Sequence, residues 1–276
     1  MTKIRPFLKW AGSKYNCLNE IISSLPPGRR LIEPFAGSGV VFMNTNYSSY
    51  ILAESNPDLV QIFTILQEQG EDFVDYCQQY FQPEENCKER YYKRRDDFNQ
   101  LNDSHQKSAF FLYLNRHGYN GLCRYNSKGI YNVPFGLYTK PYFPRKEMIL
   151  FHQKSKQAQF IQNDFRNTFQ LAEPGDVIYC DPPYVPFSPK TKPLPYTQKQ
   201  FSEKDQIELA ELAIATAAKG IPVIISNHDT EFTRLHYQKA KIKSFSVSRW
   251  INCNAQERQP VKELVAVFSA RPVRGS

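Results

Sequence analysis

Short runs rich in β-branched and aromatic residues recur along this chain, and each stops at a turn-forming residue. They cover 30–35, 50–54, 159–163, 176–180 and 221–226, each ending near a Gly, Asp, Asn or Pro. Two more follow, at 243–248 and 263–268. Helical patterns separate several of them. The clearest covers 202–219: Ser202 can cap it, Asp205 completes an S-x-x-[DE] box, Ile207, Leu209, Leu212 and Ala213 share one side, and Gly220 can end it. Strands that alternate with helices predict an α/β fold with a mostly parallel sheet and ligands at the carboxyl ends of its strands. The rhythm breaks between Pro57 and Tyr142. Four helical patterns there (59–69, 73–81, 85–98 and 106–116) lead into a Gly/Asn/Pro-rich loop or hairpin region. That segment reads as an insert in the α/β core.

Length and composition narrow the class. A chain of 276 residues predicts one large domain, or one domain with an insert. With 41% hydrophobic and 22% charged residues it can bury a core, which argues against disorder. No uncharged apolar run approaches the roughly 18 residues that span a bilayer, and the start, MTKIRPFLKWAGSK, holds no apolar stretch of signal-peptide length. A cytoplasmic protein with no membrane partner is expected. Cys17, Cys77, Cys87, Cys123, Cys180 and Cys253 form no C-x-x-C and no zinc spacing with His, so they read as free thiols and no metal is expected.

The position of the charge says more than its total of +8. From Ser104 to Lys146 there is no Asp or Glu, while Lys107, Arg116, Arg124, Lys128, Lys140, Arg145 and Lys146 alternate with tyrosines and asparagines. Cations bind phosphates, planar rings stack on bases, and Arg and Asn can read base edges. Most charge runs are solvated faces. Here the exclusion of acids and the interleaved aromatics favour a nucleic-acid surface.

Three constellations carry chemistry. The first is Glu33-Pro34-Phe35-Ala36-Gly37-Ser38-Gly39, where a strand ends in a Gly-rich turn that opens a helix. A tight turn needs the same residues, but glycines also let a ligand approach backbone N–H groups. The next strand ends at Glu54, an acid suited to the hydroxyls of a ribose, or simply a solvated strand end. Together the two favour a nucleoside-containing ligand. The second is Asp181-Pro182-Pro183-Tyr184 after the strand Val177-Ile178-Tyr179-Cys180. An amine on an aromatic ring is a poor nucleophile. A carboxylate and the Pro182 carbonyl can accept its two N–H bonds and favour it as it becomes cationic. Tyr184 offers a face for a base, which must leave a duplex to be reached. The third is Pro6-Phe7-Leu8-Lys9-Trp10-Ala11-Gly12-Ser13-Lys14. Alone it reads as a core Trp beside surface lysines; with the others, Trp10 and Lys14 can cover a cofactor.

With these motifs in view, the sequence resembles the Dam-type DNA adenine-N6 methyltransferases over essentially its whole length. FLKWAGSK, EPFAGSG, NRHGYNGLCRYNSKG, NVPFG, DPPY and ISNHDT occur in that family's order. The resemblance implies a seven-stranded Rossmann-like methyltransferase sheet with an inserted helical and hairpin target-recognition domain. It divides the chain into a discontinuous catalytic domain (1–56 and 145–270), an insert (57–144) and a flexible tail (271–276). It implies S-adenosylmethionine as cofactor, S-adenosylhomocysteine as product, and double-stranded DNA containing GATC as the partner of a monomer. Trp10, Lys14, Phe35, Ala36, Gly37, Ser38, Gly39, Glu54, Asp164, Phe165 and Asp181 would bind the cofactor. Asp181, Pro182, Pro183 and Tyr184 would be catalytic. On DNA, Lys9 would touch the first guanine, Tyr119 and Asn120 would flank the vacated position, Leu122 and Pro134 would pack on a thymine methyl, and Arg124 would read the last guanine. Arg116, Asn126 and Tyr138 complete the expected DNA contacts. Two features depart from the family pattern: Glu54 stands where Asp is usual, and 249–258 differs from the Ser/Gly/Lys-rich segment expected there. Pro186 to Thr197 is expected to be a mobile loop. The rival readings are a cytosine-N4 or other amino methyltransferase and a catalytically silent GATC-binding regulator.

Overall fold

The computed structural model describes residues 3–184, 201–247 and 261–269. The expectations for 186–197, 249–258 and the tail therefore lie outside the described residues.

Seven strands form a single sheet: β1 (Arg30–Glu33), β2 (Ser49–Glu54), β3 (Ala158–Gln162), β4 (Asp176–Cys180), β5 (Val223–His228), β6 (Lys241–Val247) and β7 (Val261–Phe268). Their order is β3-β2-β1-β4-β5-β7-β6. Neighbours among β1 to β5 are parallel, whereas β7 runs antiparallel between β5 and β6. The chain winds outward from β1 through β2 to β3, then crosses back to β4. The strand order thus reverses between β1 and β4, and a crevice opens above their carboxyl ends. Glu33 and Cys180 end those two strands, so the glycine turn and the Asp181 tetrapeptide face each other across it.

Alternation along the strands feeds two apolar layers. Leu31, Tyr50, Leu52, Val177, Tyr179 and Ile224 point to one face; Ile32, Ile51, Ile178, Cys180, Val223 and Ile225 point to the other. Every residue of β4 and β5 is buried, which explains the apolar runs Val177–Cys180 and Val223–Ile225 within them. Helix α9 (Glu203–Ala218) covers the second face with Leu209, Ala210 and Ala213. Its start shows both halves of a capping box between Ser202 and Asp205.

The first face continues without a break into the insert. Helix α3 (Pro57–Gln69) begins where the Asn56 side chain accepts the N–H groups of Asp58 and Leu59, and it packs on β2, β3 and α6 (Ser104–His117). Phe73 of α4 (Glu71–Gln78), Tyr91 of α5 (Lys88–Gln100), and Phe110 and Tyr113 of α6 extend the same core. Burying an apolar side chain of this size is worth about 1.5–3 kcal/mol, so these residues contribute to the stability of the insert. The pattern at 73–81 splits into α4 and a 3-10 turn at Gln79–Phe81, and a second 3-10 turn at Pro83–Glu85 delays α5 to Lys88. Beyond α6 the chain forms no extended ladder. Two isolated bridges, Gly118↔Phe135 and Tyr125↔Tyr131, hold a hairpin-like loop. Helix α7 (Arg145–Ser155), which the sequence pattern did not mark, returns the chain to β3. Among the described residues there are four shorter α-helices as well: α1 (Leu18–Ile22), α2 (Val40–Asn44), α8 (Phe165–Phe169) and α10 (Glu231–His236). No described helix is long and apolar enough to cross a membrane.

Candidate active site

A cleft of about 990 Å³ lies above the β1–β4 crevice. On one side is the glycine turn. Gly37 adopts φ +48° and a side chain there would meet the Trp10 ring, its Cβ 3.1 Å from Cδ1, so the indole lies directly on the turn. Gly39, at φ +69°, precedes α2. The turn is tied to β2 by Ala36 N–H donating to the Ala53 carbonyl (3.0 Å) and Gly37 N–H donating to Glu54 Oε2 (3.1 Å). Glu54 Oε1 accepts Ser55 N–H at 2.8 Å and Asn56 N–H at 3.3 Å. Burial still pushes the Glu54 carboxyl above its ordinary range, against the pull of these donors. Glu33, below the turn, is 2% exposed and its Oε1 has no hydrogen-bond partner among the described residues. Burial, with Asp181 nearby, moves its pKa up to about 8, although Phe42 N–H favours the charge.

Across the cleft, the Asp181 carboxylate accepts a 2.8 Å ion pair from Lys14 Nζ, itself buried and also donating to the Gly12 carbonyl at 2.9 Å. The β4–β5 register sets Cys180 opposite Ile225, which puts Ser226 beside Asp181; its hydroxyl donates to Oδ1 at 3.2 Å and meets Tyr179 OH at 2.9 Å. Burial raises the pKa of Asp181, and the Lys14 ammonium offsets only part of that rise. Lys14 Nζ also stands 4.4 Å from the centroid of the Tyr184 ring, while His228 meets that ring edge-on at 4.3 Å. The Tyr184 hydroxyl donates to Glu263 Oε2 at 3.5 Å. The Pro183 carbonyl accepts Gln206 Nε2 at 2.6 Å, and Gln206 in turn accepts from Asn227 Nδ2, which fixes the backbone path after β4.

At the outer end of the cleft, Phe165 stacks on Phe35 with centroids 5.5 Å apart, and Phe201 meets both at 5.6 Å. Asp164 caps α8 beside them. All the residues expected at cofactor and catalytic positions line this cleft except Gly39, which lies behind it. The sequence reading missed Ser226, Gln206, His228, Glu263, Phe201 and Arg166. Ser226, Asn227 and His228 did leave a signal: a polar run inside a buried apolar strand, which demands partners. Among the described residues no cluster of His, Cys, Asp or Glu could hold a metal ion.

The expected DNA contacts divide. Tyr119 (48% exposed) and Asn120 (φ +54°) form an exposed tip, and Tyr119 N–H donates to the Pro134 carbonyl at 2.8 Å. Pro134 is exposed and Leu122 half-buried. Lys9 Nζ lies 4.0 Å from the Tyr138 ring centroid, and the Lys9 backbone is clamped in both directions by the Asn115 amide. Arg124 Nε donates to Asn132 Oδ1 (2.7 Å) and Nη2 to the Asn132 carbonyl (3.1 Å), which fixes the plane of its guanidinium. Two residues have other work. Arg116 is 7% exposed and turns inward, donating Nε and Nη2 to the Phe7 carbonyl, so it braces the N-terminal segment rather than presenting a cation to solvent. The Asn126 side-chain oxygen accepts Lys128 N–H (2.9 Å) and Ile130 N–H (3.0 Å) and shapes the hairpin turn.

Residues 10–251 match the family described as D12 class N6 adenine-specific DNA methyltransferase. Curated proteins named DNA adenine methylase are similar along nearly their whole length. That of Escherichia coli K12 is 45% identical over 268 residues, covering 97% of this chain and 96% of its own. That of Vibrio cholerae O395 is 45% identical over 270 residues, covering 98% of each. That of Serratia marcescens is 46% identical over 269 residues, covering 97% of this chain and all of its own. The chain belongs to the D12 class of N6 adenine-specific DNA methyltransferases.

Proposed function

We propose that this chain transfers a methyl group from S-adenosylmethionine to N6 of adenine in double-stranded GATC, on a base turned out of the duplex. One juxtaposition supports the reading most. The glycine turn with Glu54, suited to a nucleoside, and the Asp181–Tyr184 tetrapeptide, suited to a planar base bearing an amine, face a single cleft. The residues present fit the donor: Glu54 Oε2 accepts only Gly37 N–H among the described residues and keeps a lone pair for a ribose hydroxyl, and Phe35 and Phe165 offer apolar rings to its base. When bound, the donor supplies an electrophilic methyl group on a sulfonium.

The protein's own groups position the amine and receive its charge. Lys14 and Ser226 hold Asp181 through Oδ1, which leaves Oδ2 to accept an amine N–H. A preorganised acceptor of this kind is worth about 10²–10³ in rate when charge develops beside it. The proton affinity that burial gives Asp181 also suits it to take the proton N6 sheds. Tyr184, fixed by Lys14 and His228, provides the stacking face that offsets the few kcal/mol cost of leaving the duplex. The insert (57–144) reads the sequence, with Arg124 held in plane by Asn132 for a guanine edge, Tyr119 and Asn120 at the exposed tip, and Lys9, Leu122, Pro134 and Tyr138 flanking them. The catalytic unit comprises 1–56 and 145–270, and the protein acts in the cytoplasm as a monomer.

Unmethylated plasmid incubated with the protein and S-adenosylmethionine tests the reading directly. GATC-cutting enzymes blocked by adenine methylation should stop cleaving it, and Asp181→Ala should slow protection by about 10²- to 10³-fold. Protection at another sequence removes the GATC assignment; protection by Asp181→Ala at the wild-type rate removes the mechanism.

A further inference from the structure

The first turn of α3 grips the hairpin-like loop that carries Arg124. Along that loop Cys123 and Tyr125 are buried while Leu122 and Arg124 are half-buried, the alternation of an extended segment, so Arg124 stands on the face opposite to Cys123 and Tyr125. The Tyr125 hydroxyl donates to Asp58 Oδ2 at 2.6 Å. Lys107 of α6 pairs with Asp58 Oδ1 at 3.1 Å, so the carboxylate is held from two sides. Asn56 Nδ2 donates to Cys123 Sγ at 3.7 Å, a weaker link beside the first.

The returning strand of the loop is anchored elsewhere. Asn99 of α5 accepts Tyr131 N–H at 2.8 Å and donates to the Tyr131 carbonyl at 3.1 Å, and the Tyr91 hydroxyl donates to the Val133 carbonyl at 3.0 Å. The two strands meet at the isolated Tyr125↔Tyr131 bridge rather than along a ladder, so anchoring one does not fix the other. Arg124 depends on both anchors: Asn132 sets the plane of its guanidinium, and the grip on Tyr125 sets where its backbone stands. A bidentate contact to a base edge tolerates little displacement. The Asp58 side chain is 12% exposed and Tyr125 9%, so this bond to a carboxylate is sheltered from the water that weakens surface pairs.

We infer that Asp58 is a positioning residue for base recognition, which holds Arg124 in register with the last base pair of the site through the Tyr125 hydroxyl. The inference rests on the reading of Arg124 given above. A bidentate arginine contact discriminates between base pairs by about 5- to 150-fold. Methylation of duplexes containing GATC or GATT by the full chain, at saturating S-adenosylmethionine, gives the ratio of kcat/KM for the two. Wild type should prefer GATC by that factor, and Arg124→Ala should lose most of it. Asp58→Ala and Tyr125→Phe should each bring the ratio to within about threefold of the Arg124→Ala value. Tyr125→Phe removes only the hydroxyl, so it decides alone should Asp58→Ala fail to fold. Asp58→Asn, which still offers an oxygen to Tyr125, should keep more of the ratio than Asp58→Ala. In the Arg124→Ala background, Asp58→Ala should change the ratio by less than about twofold, because nothing is left to position. A merely structural Asp58 would slow both duplexes alike and leave the ratio as in wild type. A wild-type ratio in either Asp58→Ala or Tyr125→Phe, or a further fall in the double variant, overturns the inference. Wild type that methylates the two duplexes equally overturns the reading of Arg124, and the inference with it.

Discussion

Replacing Glu33 by Gln should change how the stability of the fold depends on pH. Glu33 ends β1 beneath the glycine turn, 2% exposed, with one carboxyl oxygen lacking any described partner. Its pKa is about 8 in the fold, against 4.5 for the ordinary carboxyl. Between those values the folded protein carries a proton on Glu33 that the unfolded chain has released. The unfolded state is therefore favoured progressively as pH rises: the contribution of Glu33 is fully present below about 4.5 and is lost through about 8. Each unit corresponds to about 1.4 kcal/mol, so wild type should lose roughly 3–4 kcal/mol from this group between pH 5 and 8. Gln has nearly the shape of the protonated acid and does not titrate. Urea unfolding of both proteins across that range isolates the group, because titrations that do not couple to Glu33 cancel in the difference. Glu33→Gln should match wild type within about 1 kcal/mol at pH 5 and exceed it by about 3–4 kcal/mol at pH 8. A difference that stays flat with pH would falsify a protonated Glu33.

Two further substitutions separate structural from DNA-facing roles. Arg116→Ala removes both donors from the buried Phe7 carbonyl and should cost about 2–4 kcal/mol in urea unfolding, while the slope of log K for DNA against log salt stays unchanged. A stable variant whose slope falls by about one would instead make Arg116 a phosphate contact. Gly121→Ala sets a Cβ 2.3 Å from Lys9 Cδ and 2.5 Å from its Cβ, at φ +61°, so the lysine beside Tyr138 must move. DNA affinity should fall about tenfold with S-adenosylhomocysteine binding intact, measured by fluorescence anisotropy and titration; unaltered DNA affinity would show that the Lys9 position does not matter.

What the sequence made legible follows from how locally each feature is determined. Strand β4 matches its expected span of 176–180 because a strand buried on both faces must be an unbroken apolar run. Helix α9 announces itself through its cap, since Ser202 and Asp205 bond to each other's backbone. The turn at Gly37 and the acids Glu54 and Asp181 stand at the ends of such strands, so finding the strands found them. Helix α7 did not show itself: it starts after Pro144 with no side-chain cap, and only Met148, Phe151 and Ser155 are buried among its residues. Arg116 and Arg124 look alike in sequence. One is claimed by a carbonyl 109 residues away and the other by Asn132, eight residues on. Only the tertiary fold distinguishes them. Glu263 likewise joins the site through sheet pairing, opposite His228, and no local pattern marks it.

The place of β7 in the sheet also sets an order of events during synthesis. Among the described residues it is the last strand in the chain, yet it lies inside the sheet, and β6 pairs with no other described strand. Until residues 261–268 leave the ribosome, β5 keeps an open edge of unpaired backbone groups and β6 has nothing to join. An exposed edge of that kind is a template for association with other chains. Prematurely terminated products should therefore be candidates for aggregation and proteolysis. The same strand carries Glu263 to Tyr184. A chain that has not finished its sheet has not made this contact either, so the Tyr184 side of the cleft is incomplete until then.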